Sequence, residues 1–335
     1  MNAALPGGHP PLTLSVVVCA YTLDRWEDVR AAIGSLLAQE PPADEIVLVV
    51  DHNQDLQELA SKALAGVRVV PNRRRRGLSG GRNTGVAVAH GDVVAFLDDD
   101  AIAEPGWTQR LLAGYEDPRV AGVGGLVRPL WSTRRPPWFP PEFDWVVGCS
   151  HRGLPQQAAP VRNLIGANMS FRRTELLAVG GFLDALGRLG NRPAASCDDT
   201  DMCLRITART PDAVLLYEPA AQVLHRVPAT RARWSYFCSR CYVEGMSKAL
   251  VARRTGSGPA LASERAYLRS TIPRALARNL RRIGRPGALR TVGALTAGVC
   301  VTVTGYVVGW IRPLESRDIP PWPKAAGAPL GSVRS

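Results

Sequence analysis

The chain has 335 residues, 46% of them apolar and 21% charged, and a formal net charge of +12 at pH 7. Those are ordinary globular proportions with room for one large domain or two average ones. The Arg-rich excess favours nucleotides or an acidic membrane surface, and nucleic acid is disfavoured because none of its binding motifs occurs with the required spacing. Seven cysteines lack the spacing of a disulfide framework, and the N-terminus lacks a signal pattern, so a reducing, cytoplasmic setting is expected.

Residues 1–12 are rich in Gly and Pro and read as frayed. LSVVVC, from Leu14 to Cys19, is the first expected buried strand, with Ala20 and Tyr21 at its end. Asp24 and Glu27 suggest a capping box before a helix carrying Trp26, Val29, Ile33 and Leu36. EIVLVVD is a second strand ending in Asp51; a polar helix with Leu56, Leu59 and Leu64 follows, then a short strand over 67–70. The run PNRRRRGLSGG leads into a helix starting near Ser79. Its glycines fit neither GxGxxG nor GxxxxGK[ST], yet a helix N-terminus flanked by arginines can receive phosphate. The alternative is a tight helix entry with a solvated basic run.

VVAFLDDD, from Val93 to Asp100, is an apolar run that ends in three carboxylates. Placed at the carboxyl end of a buried strand, where open α/β sheets bind ligands, three adjacent acids call for a cation. A divalent metal carrying a phosphorylated ligand meets that need; a solvated acidic turn is the bland alternative. The βαβαβαβ order predicts a parallel, doubly wound half-sheet.

A helix after Pro105 and a strand over 120–127 come next. Residues 129–145 are too rich in Pro for a central strand or helix and are expected to form a lid, an acceptor-binding loop or a stiff surface loop. NLIGANMSF suggests a strand or turn close to a ligand, and Thr174 starts a helix that Gly180 and Gly181 end. DDTDMCLR places Asp198, Asp199 and Asp201 at a helix start; N-capping accounts for one acid, and a general base is a use for another. Two strands are expected over 214–217 and 221–227, the second carrying His225, whose usual role would be structural. Two basic helices follow, over 234–253 and 262–283. The first holds Cys238 and Cys241, a lone CxxC read as reduced thiols rather than a zinc site. Residues 291–311 carry no charge and approach the ~20 residues of a membrane span. A spanning helix, an in-plane helix and a packed hairpin all fit, and the stretch past Pro313 reads as disordered.

Taken in order, SVVVCAYT, the strand ending in Asp51, GLSGGRNTGVAVAHGDVVAFLDDD, GANMSFRR with GGF, and DDTDMCLR resemble the family 2 glycosyltransferases of GT-A fold over roughly residues 12–250. The resemblance implies an α/β fold of GT-A type, with a Rossmann-like, mostly parallel sheet flanked by helices; the basic helices and the apolar stretch that follow are expected to form a C-terminal helical, membrane-associated extension. The expected division of the chain is a catalytic domain over 12–228 (nucleotide half to 127, acceptor half from 128), a basic helical region over 229–285, an apolar segment over 286–312 and a tail. The resemblance also implies an inverting transfer from a UDP- or GDP-linked sugar, assisted by Mg²⁺ or Mn²⁺.

Position by position, Ala20 and Tyr21 would border the base and ribose, and Asp51 the base. Arg82, Asn83 and Asp99 would lie along the donor, and Arg240, Tyr242 and Lys248 would meet a pyrophosphate or acceptor phosphate. Asp100 would ligate the metal, with Asp98 toward ribose and metal and His225 as a further ligand. Asp199 matches the family's base, with Asp198 in place of the commoner Glu beside it. The absence of Gln-x-x-Arg-Trp points to single addition. The acceptor would be lipid-linked or a cell-envelope glycan, reached at the cytoplasmic face of the membrane. The alternatives are a nucleotidyltransferase that makes the activated sugar and a non-catalytic nucleotide-sugar or membrane-binding protein.

Overall fold

The computed structural model describes residues 11–184, 186, 197–255, 261–284 and 286–311; the expected tail over 313–335 lies outside them. Four runs of buried aliphatic residues form the nucleotide half. β1 (Leu14–Ala20), β2 (Glu45–Val50), β3 (Arg68–Pro71) and β4 (Val93–Asp98) pair in parallel in the order β3-β2-β1-β4. The helices between them, α1 (Trp26–Leu37), α2 (Gln54–Ala63) and α3 (Leu78–Val88), close the right-handed crossovers that parallel pairing requires. The register sets Cys19 opposite Asp98 and Ala20 opposite Val50, so Ala20, Tyr21, Asp51 and Asp98 share one edge of the sheet.

The sheet continues through β8 (Asn168–Arg172), which runs antiparallel between β4 and β6 (Val120–Trp131). β6 pairs in parallel with β9 (Val214–Val227); β5 (Ala101–Ala103) and the two-residue β7 (Ala159–Pro160) add to β9 antiparallel. The remaining helices are α4 (Trp107–Ala113), α5 (Arg173–Ala178), α6 (Asp198–Arg209), α7 (Trp234–Thr255), α8 (Ala262–Ala266), α9 (Ile272–Leu280) and α10 (Ala288–Ile311). Apolar side chains pack on both faces of the sheet, led by Val16, Val18, Leu48 and Trp107 on one and Val17, Phe96, Met169 and Phe171 on the other.

Several elements depart from the sequence expectation. Thr22, not a capping box, opens the first helical turn by accepting from the Asp24 amide, while Glu27 pairs with Arg30. The two strands expected over 214–227 are one. Gly125 pairs with Glu218 and Val127 with Val223, so β9 bulges between them, and Asn168 Nδ2 stitches the bulge by donating to the Ala221 carbonyl at 2.8 Å. β6 runs on through Pro129 to Trp131, because the partner along that stretch is β9 and the register passes over the missing amide. The rest of the Pro-rich segment includes a 3₁₀ helix, Pro141–Val147. The expected helix over 262–283 is broken by a π turn, Tyr267–Thr271, between α8 and α9.

The Gly-rich start of α3 serves close packing. A Cβ at Gly85 would lie 2.4 Å from Val17 on β1, and one at Gly80 1.9 Å from the Arg75 carbonyl oxygen. Arg73 to Arg76, just before it, are exposed.

Candidate active site

The carboxyl ends of β4 and β9 build the centre of the site. Asp98 ends β4, Asp100 lies in the turn leading to β5, and His225 lies on β9 opposite Ala101. Their ligand atoms all fall within 4.8 Å of one another. His225 Nε2 is 3.1 Å from Asp100 Oδ1 and 4.0 Å from Asp98 Oδ2, and its Nδ1 faces Cys149 Sγ at 3.8 Å. The donor set, two carboxylates and one imidazole, fits a divalent ion that accepts oxygen and nitrogen, such as Mn²⁺. Cys238 and Cys241 take no part, and among the described residues this is the one group of His, Cys, Asp and Glu placed to hold a metal.

The repulsion within the acidic triplet is answered partly by arginines that the sequence did not single out. Arg25 Nη1 lies 2.9 Å from Asp99 Oδ1 and 3.2 Å from Asp100 Oδ2, and Arg231 lies 3.9 Å from Asp100. Burial alone would raise the Asp100 carboxyl; His225, then Arg25 and Arg231, hold it below the usual carboxylate range. Asp99 is not part of the metal cluster. Burial, then Asp100, push its carboxyl up to about 7 against the pull of Arg25, and its Oδ2 is buried without a partner.

Arg82 connects this cluster to the second acidic motif. It is buried on α3, with Nη1 2.9 Å from Asp198 Oδ2, and Nη2 3.5 Å from Asp98 Oδ1 and 3.0 Å from the Gly166 carbonyl oxygen. Ser79 also donates to Asp198 at 3.3 Å. Among the described residues, Asp199 has no such ion pair. Its Oδ2 accepts from the Gly166 amide at 3.2 Å and its Oδ1 from the Thr200 amide at 2.6 Å. Burial first and Asp198 second push the Asp199 carboxyl up to about 6, against the pull of Arg82. None of the three acids caps α6, whose N-cap is Cys197. Asp201 pairs with Arg205 at 2.7 Å and Arg254 at 3.6 Å, so it ties α6 to α7.

The other expected site residues are placed as follows. Ala20 is buried, and Tyr21 lies under the Arg25 guanidinium at 5.5 Å. Asp51 accepts from Asn72 Nδ2 at 2.6 Å and from the Gly77 amide at 2.9 Å, which anchors the turn into α3. Asn83 donates to the Phe182 carbonyl and to Asp184, and accepts from the Phe182 amide. Its amide is therefore engaged within the chain. Lys248 Nζ is paired with Glu244 at 3.1 Å and Glu264 at 2.6 Å, and Arg240 lies 4.0 Å from Glu244. Arg162 also reaches Glu264, at 2.5 Å. This lattice was not legible in the sequence, because Arg162, the α7 residues and Glu264 come from three separate segments.

A family model described as Glycosyl transferase family 2 matches residues 15–177. The glucosyl-dolichyl phosphate glucuronosyltransferase of Haloferax volcanii is 34% identical over 309 residues, covering 90% of this chain and 97% of the relative. This chain is a family 2 glycosyltransferase.

The fold agrees with that assignment. The mannosyltransferase PcManGT from Pyrobaculum calidifontis, solved with GDP-Man and Mn²⁺, superposes with a TM-score of 0.59 at 17% identity, covering 92% of this chain and 90% of its own. GalNAc-T7, solved with UDP, GalNAc and Mn²⁺, gives 0.51 at 16% identity, covering 78% and 54%. These two likenesses are of fold. The α/β sheet, mostly parallel in its nucleotide half and flanked by helices, is thus the GT-A arrangement of a glycosyltransferase.

Proposed function

We propose that this glycosyltransferase moves a sugar from a UDP- or GDP-linked donor to a hydroxyl of a lipid-phosphate-linked acceptor, with inversion at the anomeric carbon. The observation that carries the reading is the joint placement of two unlike acidic sites through one buried arginine. Asp98, Asp100 and His225 converge on one point, and Arg82 spans from Asp98 to Asp198, next to Asp199. The lipid acceptor is suggested by the Haloferax relative, whose name places its chemistry on glucosyl-dolichyl phosphate.

Asp98, Asp100 and His225 would hold Mn²⁺ or Mg²⁺, which supplies charge stabilisation to the departing diphosphate. The acceptor oxygen attacks the anomeric carbon and gives its proton to Asp199. The bond from that carbon to the diphosphate oxygen breaks, and the electron pair leaves with the nucleotide. Asp199 suits the role because, among the described residues, no cation pairs with it and its raised pKa lets it take a proton near neutral pH. Asp198, held by Arg82, is occupied. Arg82 sets the spacing between base and diphosphate and adds positive charge beside Asp98.

A nucleotidyltransferase would have no use for the Asp198–Asp199 arrangement. The test is incubation of the full chain with radiolabelled UDP- and GDP-sugars, Mn²⁺ and a short polyprenyl-phosphate-linked sugar. The expected product is a lipid-extractable disaccharide whose new linkage has the opposite anomeric configuration to the donor. Transfer with retention would overturn the base assignment. Release of pyrophosphate from a nucleoside triphosphate and sugar phosphate would overturn the reaction class.

A further inference from the structure

α10 is long enough to cross a bilayer. Its 24 residues carry no charge after Arg290 and span roughly 36 Å, against a hydrocarbon core of ~30 Å. Its packing is incompatible with crossing alone. α10 runs parallel to α7 with the two backbones in close contact. A Cβ on Gly245 would lie 2.0 Å from the Thr302 carbonyl oxygen, one on Gly305 2.1 Å from that of Tyr242, and one on Gly309 2.9 Å from Met246 Cα. Nearer its start, Gly298 rests on Phe143 and Phe237, both members of the main core cluster. Near its end, the Trp310 ring lies under Arg253. Small residues at helical spacing permit this approach, as they do between membrane helices, but here the partner helix belongs to the catalytic body. α7 carries Arg240, Glu244, Lys248 and Arg253, and charges of that kind are strongly disfavoured at a bilayer centre. α10 cannot enter the bilayer core without them.

The face of α10 turned away from α7 is uncharged after Arg290, with large apolar side chains exposed at its start and over its last third and Gly293, Thr296 and Cys300 exposed between them. Leu289, Val303, Val307 and Ile311 are exposed there, between 48% and 70%, and Trp310 is 45% exposed beside Arg253. Leu280 and Ile283, at the end of α9 and just beyond it, add to the exposed apolar surface, at 50% and 52%. Along this part of the sequence the charge has one sign. From Arg265 to Arg312 the sequence holds nine arginines and no acidic residue, and Arg274, Arg281, Arg282 and Arg290 are exposed. A second copy of the chain would bring arginines onto arginines. Anionic phospholipid supplies both the acyl chains and the phosphates that such a surface fits.

We propose that α10 lies in the plane of an anionic phospholipid surface rather than across it, with its outer stripe at the level of the upper acyl chains and the flanking arginines on the headgroups. This seat goes beyond the transferase reading and is tested separately from it.

Cys300 is exposed near the middle of α10 and reports depth directly. The full chain is labelled there with bimane, with Cys300→Ala as the control for label on other cysteines, and added to phosphatidylcholine vesicles with and without phosphatidylglycerol. The expected result is binding that requires phosphatidylglycerol, quenching strongest by a nitroxide near the headgroup, and release by alkaline carbonate. The double variants V303E/V307E and R281E/R282E are each expected to weaken vesicle binding by about tenfold or more, with unchanged thermal melting and donor affinity. Strongest quenching from the bilayer centre, with resistance to carbonate, would overturn the proposal in favour of a span. So would the absence of vesicle binding, and self-association abolished by V303E/V307E would then assign the face to a second copy. Failure of the transferase reading has a different signature: no donor binding by a protein that still docks on vesicles.

Discussion

Replacing Asp199 by Asn separates catalysis from stability, because the two depend on its charge in opposite directions. The folded state raises the Asp199 carboxyl from 3.8 to about 6. That gap corresponds to a cost of roughly 3 kcal/mol for keeping the carboxylate charged at neutral pH, at about 1.4 kcal/mol per pK unit. Because the folded pKa lies above the unfolded one, the native state binds the extra proton. Stability from this group is therefore greatest below about pH 4 and is lost as pH rises through about 6. D199N removes the cost, less whatever the amide loses at the Gly166 and Thr200 amides, so its melting temperature at pH 8 is expected to equal or exceed that of the wild type.

Transfer is expected to fall by ~10²- to 10⁴-fold, the usual contribution of a positioned base, with donor affinity unchanged. The wild-type rate should climb with unit slope to about pH 6 and then level off. Steady-state transfer from pH 4.5 to 8.5, calorimetry with donor, and thermal melts of both proteins make up the assay. Full activity in D199N, or an acid limb centred near pH 4, would rule out Asp199 as the base.

The neighbouring acid should behave in the opposite way. Asp198→Asn leaves the buried Arg82 guanidinium with the Gly166 carbonyl and, as its only carboxylate, the more distant Asp98, so a loss of about 3–5 kcal/mol in chemical denaturation is expected. His225→Ala removes one of three ligands and should weaken Mn²⁺ binding, measured by electron paramagnetic resonance of the free ion, by about 100-fold or more. Gly305→Ala places a Cβ 2.1 Å from the Tyr242 carbonyl oxygen. It should cost ~1–3 kcal/mol by overpacking and open α10 to limited proteolysis, which an unchanged digestion pattern would contradict.

Much of the nucleotide half could be read from the sequence because its strands are buried on both faces and therefore appear as unbroken apolar runs. β1, β2 and β4 are of that kind, and they lead to Tyr21, Asp51 and Asp98 on the ligand edge. The acidic motifs were equally visible, but their assignments were not. Nothing local indicates that Arg82 takes Asp198 rather than Asp199, since these residues are more than 100 positions apart. Arg25 was hidden among the polar residues entering α1, and Asn72 within the basic run before α3. Asp51, Asn83 and Lys248 carry functional residue types, yet each spends its polar atoms on partners from distant segments. β9 read as two strands because Glu218-Pro219-Ala220 looks like a turn, whereas the structure absorbs it as a bulge opposite Gly125 and Val127. The fate of α10 was out of reach for a similar reason: its composition permits a span, and only the approach of Gly245, Gly305 and Gly309 shows which helix it is bound to.

Calorimetric titration of the full chain with UDP- and GDP-sugars, with and without Mn²⁺, tests the central claim most directly. One nucleotide sugar is expected to bind, only with Mn²⁺ present, and His225→Ala and Asp100→Asn are expected to abolish the metal requirement together with the affinity. Metal-independent binding at full affinity, or no binding of any nucleotide sugar by the folded protein with Mn²⁺ present, would contradict it.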